Sequence, residues 1–136
     1  MIGFSIKDMQ RAEQDIKQNI GHLDIVQIFG SDVGSDRTIT EMKHLLKKYN
    51  LKSVIHAPYT INIAREWTYY SYWIQTLINT INNAYKLGSI GIVLHLGLQL
   101  LLDKSVALNN SYSCLLYVLE KTKNTDIKIF IETSTG

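Results

Sequence analysis

The strongest constraint on the fold is an alternation of two periodicities along the whole chain. Short β-branched apolar runs occur at 2–6, at Ile25-Val26-Gln27-Ile28-Phe29, at 51–55, at Ile90-Gly91-Ile92-Val93-Leu94 and at Ile127-Lys128-Ile129-Phe130-Ile131. They are mostly continuous, the pattern of parallel strands buried on both faces. Four amphipathic stretches lie between them. The first spans 8–20, and the second spans 38–49, where Thr38-Ile39-Thr40-Glu41 has the spacing of a capping box. The third spans 66–87, with Tyr70, Ile74, Leu77, Ile78 and Ile81 on one face and Gly88 as its stop. The fourth spans 103–122 and carries Leu108, Tyr112, Leu115, Leu116 and Leu119 on one face.

Strand–helix alternation with short, right-handed connections gives an α/β fold, a parallel sheet in sequential order with helices outside it. A complete (β/α)8 TIM barrel takes about 250 residues. Five strands and four helices at barrel spacing in 136 residues predict a truncated barrel, a single domain over 1–136. Apolar residues make up 46% and charged residues 19%, which excludes a disordered or fibrous chain. A net charge of +2 is too small to argue for a polyanion partner. The lone Cys114 excludes an internal disulfide, and its apolar neighbours Leu115 and Leu116 make it a core residue. The N-terminus runs straight into charge, unlike a signal peptide. His95 and Gln99 interrupt the most apolar window, Ile90 to Leu102, which falls short of the roughly 20 residues that span a bilayer. The expectation is an intracellular protein with no membrane contact; nucleus, cytoplasm and virion are not distinguished.

Three residues occupy equivalent places in this pattern. His56 follows Ser53-Val54-Ile55, His95 follows Ile92-Val93-Leu94, and Glu132 follows Ile129-Phe130-Ile131. In a parallel sheet all strand C-termini lie at one end, where barrel active sites are built. Neighbouring strands stand about 4.8 Å apart, so ligands from the third, fourth and fifth can meet on one ion. Two imidazoles and a carboxylate suit Zn2+ or another divalent transition metal, with positions left for water or substrate.

The segments around these residues resemble the endonuclease IV family of apurinic/apyrimidinic endonucleases. His56-Ala57-Pro58-Tyr59-Thr60-Ile61-Asn62-Ile63-Ala64 is similar to the family's His-x-x-Tyr-Leu-Ile-Asn-Leu segment. Leu87-Gly88 through His95-Leu96-Gly97 resembles its Leu-Gly…His-Pro-Gly segment, with Leu96 in place of Pro. Ile129 to Gly136 is similar to its Glu-Asn-x-Ala-Gly segment, with Thr133 in place of Asn. The opening Ile2 to Ile6 and the run Val26 to Phe29 also fit, although Ser5 stands where the family has His.

The resemblance implies a TIM barrel with a zinc cluster that cuts the DNA backbone on the 5′ side of an abasic site. His56 and His95 would bind one zinc, and Glu132, bridging it to another, would be the catalytic carboxylate. Tyr59 and Asn62 would face the bent DNA substrate. The family's other Asp, His and Glu ligands come from later strands. The chain is therefore expected to be incomplete as an enzyme, with open edges at its first and fifth strands that invite self-association or complementation.

Other features carry less. His22 at a helix end and His44 beside Lys43 and Lys47 read as solvent-facing. The aromatic run Trp67 to Trp73 reads as sheet packing rather than base stacking, and Arg37 and Arg65 as loop residues in water. Gly30-Ser31-Asp32-Val33-Gly34-Ser35 lacks a nucleotide fingerprint. Two alternatives remain at this point: a sugar isomerase or epimerase of the related metal-binding barrel type, and a non-catalytic remnant. Against the isomerase, Lys128 lies inside a strand, badly placed to act as its base.

Overall fold

The computed structural model describes residues 3–133; Ile2 of the first run and the tail Ser134-Thr135-Gly136 lie outside them. Five parallel strands, β1 (Gly3–Ile6), β2 (Ile25–Phe29), β3 (Lys52–His56), β4 (Gly91–His95) and β5 (Lys128–Glu132), form one sheet in the order β1-β2-β3-β4-β5. The helices are α1 (Ala12–Asn19), α2 (Asp36–Lys48), α3 (Tyr72–Leu87) and α4 (Lys104–Lys121). This is the partial barrel expected from the sequence. Among the described residues no helix is long and apolar enough to cross a membrane.

The sheet is not buried evenly on both faces. Val26 and Ile28 of β2, Ile55 of β3 and Ile92 and Leu94 of β4 are sealed into one cluster with Ile16, Met42, Ile74, Leu77 and Ile81 from the helices. Each such side chain contributes about 1.5–3 kcal/mol by leaving water. The alternate residues Ile25, Gln27, Phe29, Val54 and Val93 point to the other face and are only half-buried. The continuous apolar runs thus serve a sheet with one covered face, and the second face has only five strands to wall it.

The helix boundaries differ from expectation for local reasons. Asp8 caps a short 3-10 turn, Met9–Arg11, by accepting from the Gln10 N–H at 2.9 Å, so α1 begins later. The capping box forms one turn earlier than its sequence spacing indicated. Ser35 and Thr38 each accept the other's backbone N–H at 3.2 Å, which starts α2 at Asp36. α3 begins at Tyr72, because Trp67 turns aside to stack on Tyr117 at 5.3 Å and to donate to the Ser113 hydroxyl at 3.0 Å. Tyr70 is consequently in solvent, and Trp73 takes the core position ahead of Ile74. α3 ends at Gly88, whose φ of +80° is left-handed.

The face of α4 is also corrected. Ala107, Cys114 and Val118 are buried, while Leu108, Tyr112, Leu116 and Leu119 are exposed. The helix is apolar on two sides, and its smaller residues turn inward. Burial pushes the Cys114 thiol up to about 12, consistent with a packing role. Phe130 and Ile131 of the edge strand β5 are exposed as well.

Gly91 sets the contact between β4 and β5. It pairs with Lys128, and a Cβ there would overlap the Lys128 carbonyl oxygen and the Phe130 ring. Gly91→Ala should therefore destabilise the chain by about 2 kcal/mol, read from urea unfolding. An unchanged midpoint would contradict this strand pairing. At the opposite side of the sheet, Glu13 of α1 accepts from Lys48 Nζ at 2.7 Å and Tyr49 OH at 2.9 Å. The Lys48 bond first, and the Tyr49 bond second, hold its carboxyl down at about 2. A depressed folded pKa gives stability that is present at neutral pH and lost as pH falls through the folded value. Glu13→Gln should lower the unfolding midpoint at pH 7, and the gap should close as pH drops from about 5 towards 2.

Candidate metal centre

His56, His95 and Glu132 are the last residues of β3, β4 and β5. Parallel register does the assembly. His95 pairs with Glu132 across β4 and β5, and His56 pairs with Val93 one strand over. The two imidazole centroids stand 5.0 Å apart. One ligand atom from each of the three residues lies within 4.8 Å of the others.

His56 is buried, and its Nδ1 lies 2.8 Å from the Ala57 carbonyl oxygen. A carbonyl only accepts, so Nδ1 carries a proton and Nε2 is the ring atom turned towards Glu132. His56 Nε2 lies within hydrogen-bond distance of Glu132 Oε2, at 3.1 Å. His95 Nε2 approaches the same oxygen at 2.9 Å, yet it is buried without a hydrogen bond because the alignment is wrong for N–H···O. Three atoms able to ligate a metal thus converge, and one of them, His95 Nε2, is buried without a hydrogen-bond partner. A divalent cation bound there would give His95 Nε2 the partner it lacks. Ligand atoms on one tetrahedral zinc stand roughly 3.3 Å apart, close to the two distances from the imidazoles to Glu132. The donor set fits a metal ion, and the Nδ1–carbonyl bond on His56 is the outer support that such ligands use.

Tyr59 is 70% exposed and lies across both imidazoles, its ring 4.8 Å from His56 and 5.0 Å from His95. Beside it opens a cleft of about 430 Å³ lined by Tyr59, Asn62, His95, Leu96, Leu98 and Glu132 among others. Sequence reading thus brought all five candidates to one place. It missed Phe29, whose ring flanks His56 at 5.5 Å, and the cleft wall from Leu96 to Leu98. Gly97 within that wall was a readable signal, since its φ of +90° favours glycine. Ser5 stands apart from the ligand set; its hydroxyl accepts from Gln27 Nε2 at 3.3 Å. The two arginines do not line the cleft. Arg65 lies over the Trp73 ring at 4.5 Å, and Arg37 pairs with Glu41 at 3.0 Å. His22 and His44 are exposed, as expected.

A family model described as a xylose isomerase-like TIM barrel matches residues 7–136. The chain belongs to the xylose isomerase-like TIM-barrel family. Within it, the protein named "Probable endonuclease 4" of Ureaplasma urealyticum is 33% identical over 102 residues, 72% of this chain and 33% of that protein. The crystal structure of a D-tagatose 3-epimerase-like protein superposes with a TM-score of 0.79 at 21% identity, covering 99% of this chain and 54% of that one. Endonuclease IV from Thermus thermophilus superposes with a TM-score of 0.68 at 20% identity, covering 98% of this chain and 52% of that one. The two superpositions establish the shared fold. The chain spans about a third of the curated relative it matches and about half of the solved barrels. The endonuclease IV resemblance read from the sequence is borne out by these matches.

A family member with this donor set should gain stability from a divalent transition metal. At 100 times its Kd the ion adds about 2.7 kcal/mol. A thermal melt should shift upward with the metal and return with a chelator. Glu132→Ala should show no shift, and an equal shift in that variant would remove Glu132 from the site.

Proposed function

We propose that this chain is part of a zinc-dependent DNA-repair phosphodiesterase resembling endonuclease IV, which cleaves the backbone 5′ to abasic sites in intracellular DNA. The observation that carries the reading is the three-ligand cluster on consecutive strand ends with Tyr59 lying exposed across its two imidazoles. The one-third identity to a protein named as an endonuclease supports the substrate class.

His56, His95 and Glu132 would hold the ion. A bound zinc supplies Lewis-acid stabilisation of a phosphoryl oxygen and lowers the pKa of water. Tyr59 offers a broad aromatic surface beside the two imidazoles, suited to stack against a nucleotide displaced from the duplex. Three protein ligands match one zinc with an open position. Backbone cleavage that stabilises both the attacking and the leaving oxygen draws on more than one ion. Further ligands therefore have to come from strands beyond β5. The exposed apolar face of α4 and the bare edge of β5 are the surfaces on which such strands, or a second copy, would dock.

An epimerase reading is favoured by the higher TM-score to the D-tagatose 3-epimerase-like structure, but that likeness carries the fold alone. Proton transfer beside a carbonyl asks for a positioned acid–base pair. Glu132 is the one carboxylate among the described residues lining the cleft, and Lys128 lies at the opposite end of β5.

The test is cleavage of a duplex carrying one abasic site. The 136-residue chain should bind zinc but nick the duplex poorly or not at all. His95→Ala should weaken zinc binding by more than about 100-fold, since even losing an outer support costs 10–100-fold. An extended chain, or a complementary fragment carrying the later strands, should restore cleavage that a chelator removes. Strong cleavage by the chain alone, unchanged in His95→Ala, overturns the reading, and no restoration favours a non-catalytic remnant.

A further inference from the structure

Both polar ends of the Asn62 side chain are engaged within the protein. Its Oδ1 accepts from the Ala64 backbone N–H at 3.0 Å, and its Nδ2 donates to the Leu98 carbonyl at 2.9 Å. An N–H faces one end and a carbonyl faces the other, so the orientation of the amide is fixed by its partners. The first bond folds the loop after β3 upon itself. The second crosses to the loop after β4. Asn110 of α4 ties the same segment down by donating to the Ala64 carbonyl at 3.0 Å. Gly97 completes the contact: its φ is +90°, and a Cβ there would overlap the Asn62 side chain.

These bonds join the two loops that leave the two histidines. One runs from His56 through Tyr59 to Asn62, and the other runs from His95 through Gly97 to Leu98. We propose that Asn62 is a positioning residue, a latch that fixes the His56 and His95 loops relative to one another and so sets the affinity and geometry of the metal site, rather than a contact to DNA. The proposal replaces the substrate role that the family resemblance implied for Asn62, and it rests on the metal reading above. Tyr59 remains the rim residue free to meet a ligand. Outer groups that orient metal ligands are worth about 10–100-fold in affinity, and a bond between two exposed loops belongs at the lower end of that range.

The test uses the 136-residue chain with Co2+, whose visible absorption reports ligand geometry. Three variants are compared with wild type. Asn62→Ala removes the latch. Asn62→Asp keeps the shape and the acceptor for Ala64 but turns a second oxygen towards the Leu98 carbonyl. Gly97→Ala pushes the β4 loop off Asn62. Each should weaken Co2+ binding about tenfold and alter its spectrum, and each should raise amide hydrogen exchange over residues 98–102 in the metal-free protein. At saturating Co2+, Asn62→Ala should bind an abasic duplex as wild type does. Wild-type Co2+ affinity and spectrum in Asn62→Asp overturn the latch, as does a loss of duplex affinity with metal binding intact. If wild type takes up no Co2+, the metal reading falls separately. The exchange experiment then decides alone, and unchanged protection over 98–102 overturns the latch.

Discussion

The register between β4 and β5 is the constraint on which the site depends. His95 and Glu132 are paired residues in that ladder, and His56 stands on the same face one strand away. Because side chains alternate faces with a period of two, slipping β5 by one residue would turn Glu132 towards the helices and Ile131 into the cleft. The register is held by the fit of Gly91 under Phe130 and the Lys128 carbonyl, a contact with no room for a side chain. A glycine near the start of a strand thus determines where a carboxylate at the end of the next strand can reach. The Asn62 bond to Leu98 adds a second tie above the sheet, between loops rather than strands.

What was legible in the sequence follows from which interactions are local. All five strands were visible because β-branched runs between helical stretches have few other uses. The ligands were visible because each is the first polar residue after such a run. The start of α3 was hidden. Residues 66–71 carry helical spacing, but Trp67 gains more by packing on Tyr117 of α4 and reaching Ser113. That partner is far away in sequence. The inward face of α4 was hidden for a different reason. With Leu108, Tyr112, Leu116 and Leu119 on one side and Ala107, Cys114 and Val118 on another, periodicity alone selects the larger residues. Packing selected the smaller ones, which allow close approach to α3.

Asn62 shows the same limit at the site. Its place after Tyr59 brought it to the cleft rim, yet the latch proposed for it depends on a carbonyl in another loop and on the left-handed turn at Gly97. Neither is visible from the spacing of Tyr59 and Asn62. A polar residue beside a metal cluster has two uses, contacting what binds or holding what binds it. Only the hydrogen-bond partners distinguish them.

The three candidate ligands differ in how firmly the fold holds them. The side chain of His56 is 2% exposed, that of His95 27% and that of Glu132 47%. The gradient runs across the sheet from its covered centre to its bare edge. His56 is fixed by the Ala57 carbonyl, by Phe29 and by strands on both sides, whereas Glu132 rests on a strand with one neighbour. A shared ion would join the stiff half of this site to its soft half. Metal affinity and the order of β5 are then linked quantities: whatever covers the β5 edge prepays the ordering of Glu132 and tightens the ion, and the ion in turn steadies the edge. The exposed apolar residues of α4 and of β5 are the surface that such a cover would bury.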